Sequence, residues 1–273
     1  MDKIIKAAFG GAVALSGLFV LAVQGRTGHP GLAELKKWKY AHRGLHDEFL
    51  PENSMTAFRA ALEHGYGIEL DIHLLKDGNL AVMHDSSLKR TTGCDGCIED
   101  LTTQQLKDYH LGGTDETIPE FRDVLKLFAG KAPLIIELKP ERGNHAALAE
   151  AACAMMEGYE GAWCMESFDP RCVYWLKKNR PQIIRGQLTE DFFRAENSPL
   201  PSYLKFAMKH QLFNFATQPD FIAYKFRDRE TISNRLARNF WGVQGVSWTL
   251  ISREEFDTAA KENWIPIFEN FKP

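Results

Sequence analysis

Apolar segments with strand character alternate with segments of helical spacing along most of the chain, and this alternation restricts the fold more than any other feature. Strands that alternate with helices pair in parallel, because right-handed crossovers place the helices on the faces of the sheet. Eight such units over about 235 residues predict a closed (β/α)8 barrel, known as a TIM barrel. The eight strand-like segments are centred near residues 40, 70, 136, 165, 185, 222, 247 and 266.

An open, doubly wound parallel sheet is the alternative architecture for the same alternation. That fold usually carries a glycine-rich, dinucleotide-binding turn after its first strand. His42-Arg43-Gly44 stands at this position instead, so the closed barrel is favoured.

Residues 67–85 predict a β-hairpin that begins with the second strand of the barrel. The Asp77-Gly78 dipeptide is typical of a tight hairpin turn, and a second apolar run, residues 80–83, follows it and ends at His84. A parallel crossover needs a dozen or more residues, whereas only about four separate the two runs. The second run should therefore return antiparallel as an excursion from the barrel, and place His84 near the acids of the second strand.

Polar residues are expected to converge at one end of the barrel. Successive side chains of a strand point to opposite faces, so Glu69, Asp71 and His73 share one face of the second strand. The active site of such a barrel lies at the carboxyl ends of its strands. The residues that stand near these ends are His42, Arg43, Glu69, Asp71, Glu137, Lys139, Ser167 and Trp248.

Three of these residues, Glu69, Asp71 and Glu137, predict a metal site. Three carboxylates that meet in a partly dry site repel one another unless a cation holds them together. Ligand sets made only of oxygen favour a hard divalent ion, so we expect one Ca2+ or Mg2+.

The remaining charged residues predict phosphodiester chemistry. His42 and His84 titrate near neutral pH and suit a paired role, in which one accepts a proton and the other donates one. Arg43 offers a planar fork that matches phosphate oxygens, and Lys139 offers a point charge. A metal ion would neutralise charge on the phosphate and make a bound hydroxyl or water easier to deprotonate. The cluster therefore predicts a metal-assisted phosphodiesterase.

The chain also resembles a known family. The motifs that carry the resemblance, in order, are His42-Arg43-Gly44, Pro51-Glu52-Asn53-Ser54, Glu69-Leu70-Asp71, Lys76-Asp77-Gly78, Val82-Met83-His84-Asp85 and Glu137-Leu138-Lys139. They are similar to the HRG, PENT, ExD, DG, HD and ExK motifs of the glycerophosphodiester phosphodiesterase family. The resemblance extends from about Tyr40 to Phe271 and is most specific in its N-terminal half.

This resemblance implies a (β/α)8 barrel that hydrolyses glycerophosphodiesters to glycerol 3-phosphate and an alcohol with a divalent cation. It implies metal ligation by Glu69, Asp71 and Glu137, acid and base catalysis by His42 and His84, and phosphate binding by Arg43 and Lys139. By the same analogy, a glycerol hydroxyl of the substrate attacks phosphorus to give a cyclic phosphate, which water then opens.

The chain departs from the family pattern in three places. PENT is PENS here, which keeps the hydroxyl. The last strand, which usually closes on a Thr-Asp-Arg-Pro-like element, continues as Glu269-Asn270-Phe271, and residues 191–217 match no family motif. Trp248 is a candidate to stack on a choline or glycerol group, and a buried barrel tryptophan is the equal alternative.

The N-terminal segment predicts membrane association. Residues 7–23 form an uncharged apolar run of 17 residues after Lys3 and Lys6, which suits a single-pass anchor or a signal peptide. A buried core helix is disfavoured because the run has no polar face, and Val23-Gln24-Gly25 is a poor cleavage site. We therefore expect a retained anchor at residues 1–25, a linker at 26–37 and the barrel at 38–273. The basic residues on both flanks of the run predict opposite orientations in the membrane.

Composition excludes some other classes of protein. The 273 residues are 44% hydrophobic and 25% charged, as in globular proteins, and a net charge of -3 gives no basic surface for nucleic acid. The five cysteines are an odd number, which suits free thiols better than a disulfide framework, and Cys94 and Cys97 are most simply two loop thiols.

Two other functions are compatible with the same residues. One is a lysophospholipase D or sphingomyelinase-D-like activity on lipids that keep an acyl chain, which a membrane anchor would suit and apolar side chains at the rim, between residues 191 and 226, would favour. The other is a barrel without catalysis that binds a phosphate ligand at the membrane, which the complete set of ionisable residues disfavours.

Overall fold

The computed structural model describes residues 16–195 and 199–273, and its central feature is a closed barrel of eight parallel strands. The barrel closes because β1 pairs in parallel with both β2 and the last strand, β9. This confirms the predicted TIM barrel and excludes the open sheet. The strands are β1 (Tyr40–His42), β2 (Gly67–Leu74), β3 (Leu80–Val82), β4 (Leu134–Leu138), β5 (Trp163–Ser167), β6 (Arg185–Thr189), β7 (Phe221–Lys225), β8 (Gln244–Leu250) and β9 (Trp264–Phe268).

The hairpin predicted after the second strand is also present. β3 runs antiparallel to β2, with Ile72 opposite Val82 and Leu74 opposite Leu80. Among the strands of the described residues, β3 alone lies outside the barrel. His84 follows it directly, so the hairpin brings this residue back to the end of β2.

Helices cover the outside of the barrel. Several of them begin at a side-chain cap, such as Ser54, whose hydroxyl accepts a hydrogen bond from the backbone N–H of Ala57. From residue 32 onward, the α-helices of the described residues are Leu32–Leu35, Met55–Glu63, Lys89–Thr92, Phe121–Phe128, His145–Met155, Pro170–Asn179, Ser202–Lys209, Asn214–Thr217, Ile232–Arg235 and Arg253–Lys261.

The sequence predicts α-helices over residues 101–109 and 231–240, and the structure differs at both. Residues 101–109 form a 3-10 helix, Thr103–Asp108, in which only Leu106 is buried, so the segment lacks the apolar face that would favour a longer α-helix. Residues 231–240 form a short α-helix that continues as a π-helix, Leu236–Phe240.

The apolar core has one layer inside the barrel and one between the barrel and the helices. On β4, Ile135 packs inside with Tyr40 and Phe221, whereas Ile136 and Leu138 pack outward under the helices. Glu137 has the same parity as Ile135 and therefore points inward. Gly186 on β6 makes room for the Phe221 ring, since a Cβ there would lie 2.1 Å from it.

The segment treated above as a linker packs against the barrel. Leu32 and Leu35 are buried and belong to the cluster inside the barrel. The Arg26 guanidinium is paired with Asp220, at 2.5 Å between Nε and Oδ1, just before β7. These contacts place residues 26–35 at the end of the barrel where the strands begin, opposite the expected active site.

Residues 1–15 of the predicted anchor lie outside the described residues, and residues 16–22 are helical. Within the described parts of the chain, none of the helices combines the length and apolar character needed to cross a bilayer. All five cysteines, including Cys94 and Cys97, are free thiols.

Candidate active site

The three predicted metal ligands lie together at the carboxyl ends of two neighbouring strands. Asp71 on β2 is in register with Glu137 on β4, and Glu69 lies one inward position before Asp71. One oxygen from each of the three carboxylates lies within 4.8 Å of the others. The side chains of all three are buried, which makes their mutual repulsion strong.

The three carboxyl groups differ in how readily they ionise, because their charged neighbours differ. Burial acts to raise the pKa of Asp71, but Lys139, His84 and Arg43 outweigh it and lower that pKa well below its usual value. Burial, together with Asp71 and other acids, raises the pKa of Glu69. Burial is also the main cause that raises the pKa of Glu137 to about 7. Two of the three carboxylates therefore hold protons readily in the absence of a further positive charge.

The carboxylates suit a hard divalent cation. Asp71 Oδ1 is buried without a hydrogen bond from any described residue, although Lys139 Nζ lies 3.5 Å from it. Lys139 Nζ also lies 3.0 Å from Glu137 Oε1. A set of three buried carboxylates with an unpaired oxygen and raised pKa values is stabilised by an oxygen-preferring ion such as Ca2+ or Mg2+.

His42 lies at the end of β1 between two carboxylates. Its Nδ1 is 2.5 Å from Oε2 of Glu269, which follows β9, and its Nε2 is 3.8 Å from Oε2 of Glu69. Burial lowers the pKa of His42, and the hydrogen bond with Glu269 only partly offsets this effect. The neutral form of the imidazole is therefore favoured, with Nδ1 hydrogen-bonded to Glu269 and Nε2 directed at the Glu69 carboxylate.

His84 has a similar arrangement on the hairpin. Its Nδ1 lies 2.6 Å from Oδ1 of Asp85, and burial lowers its pKa although Asp71 and Asp85 act against this. His73 stands behind it, with Nε2 3.2 Å from the backbone oxygen of His84. His73 also lies 2.6 Å from a Glu99 oxygen, so it neighbours the site and supports the backbone of His84.

Hydrogen bonds connect the turns at Arg43 and Asn53 to the carboxylates of Glu69 and Asp71. Arg43 and Asn53 both adopt positive φ angles of 54°, which is uncommon for residues other than glycine. The Asn53 N–H donates to the Arg43 carbonyl at 2.9 Å, and Asn53 Nδ2 donates to Asp71 Oδ2 at 2.9 Å. The Arg43 N–H donates to Glu69 at 3.2 Å. The strained turns thus position two of the proposed ligands.

A chain of ion pairs connects the proposed phosphate-binding arginine with His84. Arg43 Nη1 donates to Glu52 at 2.9 Å, and Arg90 donates to both oxygens of Glu52 at 2.7 and 2.8 Å. Arg90 Nε also contacts Asp85 at 2.5 Å. Asp85 in turn holds His84, so these groups form one network along the rim.

Several residues of the site, among them Glu52, Asn53, Asp85 and Glu269, have no role predicted from the sequence. Glu52, Asn53 and Asp85 belong to motifs that were recognised, and the motifs are the signal that could have identified them. Glu269 lies 227 positions from His42, and only the closure of the barrel brings the two together. The strand end that departs from the family pattern therefore still supplies a carboxylate to the site.

Glu166, Ser167 and Trp248 lie on strands β5 and β8, next to the site. Glu166 is buried beside Glu137 on the next strand, and burial, followed by Glu137 and Asp71, raises its pKa well above the usual value. Ser167 donates to the Leu138 carbonyl at 2.7 Å, which is the core interpretation. Trp248 is half-buried and donates from Nε1 to the Ala223 carbonyl at 3.0 Å.

Aromatic side chains form a wall beside these residues. Phe168 packs edge-to-face against Trp248 and against Phe192, with ring centroids 5.5 and 6.0 Å apart. Phe192 is buried, and its neighbour Phe193 is 52% exposed. Phe168 and Phe192 follow the ends of β5 and β6, and Trp248 lies in the C-terminal half of β8, so these rings are on the same side of the barrel as the acids.

Comparisons with known proteins identify the family and the fold of this chain. The model of the glycerophosphoryl diester phosphodiesterase family matches residues 42–271. A Bacillus altitudinis protein named glycerophosphodiester phosphodiesterase is 35% identical over 163 residues, which cover 56% of this chain and 66% of that protein. A Rattus norvegicus protein named lysophospholipase D is 36% identical over 112 residues, covering 36% of this chain and 35% of that one.

The fold has a solved counterpart in an Oleispira antarctica phosphodiesterase, whose structure was determined in complex with the product sn-glycerol-3-phosphate. The two structures superpose with a TM-score of 0.72 at 20% identity, over 89% of this chain and 95% of the other. The family match begins at His42, the first residue of the site, and ends two residues after Glu269. The chain belongs to the glycerophosphoryl diester phosphodiesterase family.

Proposed function

We propose that this chain hydrolyses glycerophosphodiesters to sn-glycerol 3-phosphate and an alcohol, with one Ca2+ or Mg2+ held by Glu69, Asp71 and Glu137. The observation that carries the proposal is the convergence of these three buried carboxylates with two histidines, His42 and His84, at one end of the barrel. Membership of a family of diester hydrolases supports the same class of reaction.

The histidines are suited to move protons at neutral pH. Each is partly buried and has a lowered pKa, which favours the neutral form that a base needs. Each also has Nδ1 engaged by a carboxylate, Glu269 or Asp85, which stabilises the protonated form that an acid needs. When Nδ1 carries the proton, the Nε2 lone pair is free to accept one from the attacking hydroxyl. The carboxylate then stabilises the imidazolium that forms, as in other carboxylate-histidine pairs.

In the proposed sequence of steps, one histidine accepts the proton of a glycerol hydroxyl as its oxygen attacks phosphorus. The other histidine, in its protonated form, donates to the oxygen of the departing alcohol, so a cyclic phosphate and a free alcohol result. The same pair acts in reverse when water opens the cyclic phosphate. Arg43 and Lys139 bind the phosphate oxygens, and a bound divalent cation would neutralise the charge that develops on them.

The test is an assay of purified protein with a panel of glycerophosphodiesters and lysolipids, with and without added Ca2+ or Mg2+. The proposal predicts release of sn-glycerol 3-phosphate from glycerophosphocholine or a related diester only when a divalent ion is present. Turnover that persists unchanged in EDTA would contradict the metal site. Binding of the diester without any turnover would favour a non-catalytic barrel.

A lysophospholipase D activity is the second candidate, and the aromatic wall at the barrel mouth favours it. Phe168, Phe192, Phe193 and Trp248 offer an apolar surface beside the acids that could hold an acyl chain. A relative in rat carries the name lysophospholipase D. Choline release from lysophosphatidylcholine that exceeds release from glycerophosphocholine, and that falls with a Phe193→Ser variant, would support this candidate over the first.

We also propose that the N-terminal segment associates with a membrane. The apolar run of the sequence continues into helical residues 16–22, where Leu18 and Leu21 are exposed. Trp241 Nε1 donates to the Val20 carbonyl at 2.8 Å, which places exposed Phe240 beside this helix. Co-sedimentation of the full chain with phospholipid vesicles tests the proposal, and a Leu18→Ser/Leu21→Ser variant that binds equally well would argue against a contribution of these side chains.

A further inference from the structure

A second group of potential metal ligands lies beside the carboxylates but has a different chemistry. His42, His46 and Glu269 each offer one ligand atom, and these atoms lie within 4.8 Å of one another. His42 and His46 flank the turn after β1, and Glu269 follows the adjacent strand β9. The barrel closure therefore assembles two imidazoles and one carboxylate from opposite ends of the chain.

His46 has an unpaired nitrogen that points to this cluster. Its Nε2 is buried and has no hydrogen-bond partner among the described residues, and it lies 3.8 Å from Oε1 of Glu269. A buried polar atom without a partner is costly and calls for a ligand or water. The other oxygen of Glu269 lies 2.5 Å from His42 Nδ1, so the carboxylate bridges the two histidines.

We propose that His42, His46 and Glu269 bind a Zn2+ ion, and that the bound ion blocks the catalytic function of His42. Two imidazoles and a carboxylate with one open position are a ligand set that zinc uses, whereas Ca2+ and Mg2+ prefer oxygen alone. Donor atoms around tetrahedral zinc lie about 3.3 Å apart. Small side-chain shifts that lengthen the His42–Glu269 contact and shorten the His46–Glu269 contact would give this geometry.

The ion has a route from solvent to the cluster. A surface groove with a volume of about 630 Å3 is lined by His46, Asn270 and Phe271. The side chain of His46 keeps 14% exposure and that of Glu269 keeps 24%. The cluster is therefore open enough for exchange, unlike the carboxylates of Glu69, Asp71 and Glu137, which are nearly closed.

Zinc at this position would inhibit because His42 can carry only one proton when neutral. In the free protein, the Nδ1–H group of His42 donates a hydrogen bond to the Glu269 carboxylate. The lone pair on Nε2 is then available to accept a proton. When zinc replaces the proton on Nδ1, a neutral imidazole keeps its single proton on Nε2, which can then donate but not accept. The inhibition thus rests on the proposed role of His42 as a proton acceptor, whereas binding of the ion does not.

The first test measures zinc binding by the full chain without any activity assay. Zn2+ is titrated against a chromogenic chelator in the presence of excess Ca2+, which competes for the oxygen-only site. We expect one Zn2+ per wild-type chain, and at least tenfold weaker binding by His46→Gln. The matched control is His110→Gln, at an exposed histidine remote from these ligands, and it should bind as the wild type does.

A second measurement uses Co2+ as a spectroscopic probe. Tetrahedral Co2+ with nitrogen ligands absorbs in the visible range, and we expect this absorption in the wild type and in His110→Gln but not in His46→Gln. Equal zinc or cobalt binding by wild type and His46→Gln would overturn the site, as would wild-type protein that binds no zinc in excess Ca2+. Circular dichroism of His46→Gln checks that the variant is folded, and a Glu269→Asp variant gives an independent second perturbation if it is not.

The last test measures whether zinc bound at this site inhibits diesterase turnover. One equivalent of Zn2+ should inhibit Ca2+-supported diesterase turnover of the wild type, and a zinc-selective chelator should restore it. His46→Gln should need at least ten times more Zn2+ for the same fractional inhibition, measured against its own zinc-free rate. Zinc that binds through His46 but leaves turnover intact would refute the inhibition. A chain that binds zinc through His46 but hydrolyses no diester would refute the proposed function and leave the zinc site standing.

Discussion

Glu269 offers a direct test of whether a carboxylate acts through His42, because a glutamine at this position keeps the size of the side chain and removes its charge. In the structure the Glu269 carboxylate accepts a hydrogen bond from His42 Nδ1 at 2.5 Å, and the Glu269 side chain is 24% exposed. The interaction is therefore largely shielded from solvent. Glu269→Gln can still accept this hydrogen bond, but it cannot stabilise a positive imidazolium.

The size of the effect follows from the strength of a charge-assisted hydrogen bond. Hydrogen bonds to charged groups contribute roughly 1.5–3 kcal/mol, and neutral ones contribute roughly 0.5–1.5 kcal/mol. The loss in the variant is then about 1–2 kcal/mol, which corresponds to a kcat lower by about 5- to 30-fold. Since Glu269 contacts no expected substrate atom, KM should change much less than kcat.

The pH profile gives a second readout. Burial lowers the pKa of His42 and Glu269 raises it, so removal of the negative charge should lower that pKa further. If neutral His42 is the base, activity rises as pH increases through its pKa. The acidic limb of kcat/KM should then move to lower pH in Glu269→Gln by about one unit.

The assay compares kcat, KM and the pH profile of the wild type and Glu269→Gln in zinc-free buffer with saturating Ca2+. Glu254→Gln is the matched control, because Glu254 is exposed on the helix Arg253–Lys261 on the outside of the barrel. A Glu269→Gln variant with wild-type kcat and an unmoved acidic limb would refute the argument. A change in KM alone would place Glu269 in substrate binding instead.

Four further predictions follow from the same structure. Replacement of His42 or His84 by alanine should each remove diesterase turnover in a steady-state assay, and full activity in both variants would contradict their roles. EDTA should abolish turnover and Ca2+ or Mg2+ should restore it, whereas activity in EDTA would exclude a metal-dependent reaction. Burial acts to raise the pKa of Glu52, but Arg90 and Arg43 outweigh it and lower this pKa from 4.5 to about 2. The wild type should therefore be more stable than Glu52→Gln by up to about 3 kcal/mol. This difference should be full above pH 4.5 and disappear as the pH falls towards 2. Urea unfolding at several pH values measures this, and a constant difference would contradict it. Gly186→Ala should lower the free energy of unfolding by about 1–3 kcal/mol, because the new methyl group overlaps the Phe221 ring, and an unchanged urea midpoint would show that the ring can move away.

Much of the barrel could be predicted from the sequence, because the spacing of apolar residues that defines each strand or helix lies within a few consecutive residues. Apolar and polar side chains alternate along strand β2. This alternation predicts which of its residues face the helices and which face the interior of the barrel. For example, the sequence pattern predicts a helix over residues 170–179 and a strand over residues 264–268, and the structure has both with these bounds. Where a segment lacks a continuous apolar face, as at Thr103–Asp108, the helix type was not predictable from its spacing.

The candidate site was predictable only as far as its residues lie near one another in sequence or end neighbouring strands. Glu69, Asp71 and Glu137 come from β2 and β4, which pair directly, so strand ends alone place them together. Glu269 meets His42 through the closure of the barrel, and Arg90, on the short helix Lys89–Thr92, meets Glu52 from 38 positions away in the sequence. Such contacts depend on backbone geometry that no local pattern of residues encodes.

The balance of charge in the site explains why a cation matters for binding as well as for chemistry. If Glu69, Asp71 and Glu137 are all ionised, they carry three negative charges, and Arg43 and Lys139 return two positive ones. Burial and the adjacent acids raise the pKa of the neighbouring Glu166, which favours its uncharged form. The net charge of this group is then negative and repels a phosphodiester, whereas one divalent ion makes it positive and complementary to the single negative charge of the substrate. The same acids that would expel the substrate from the free barrel therefore become, with the ion in place, the means by which the barrel attracts it.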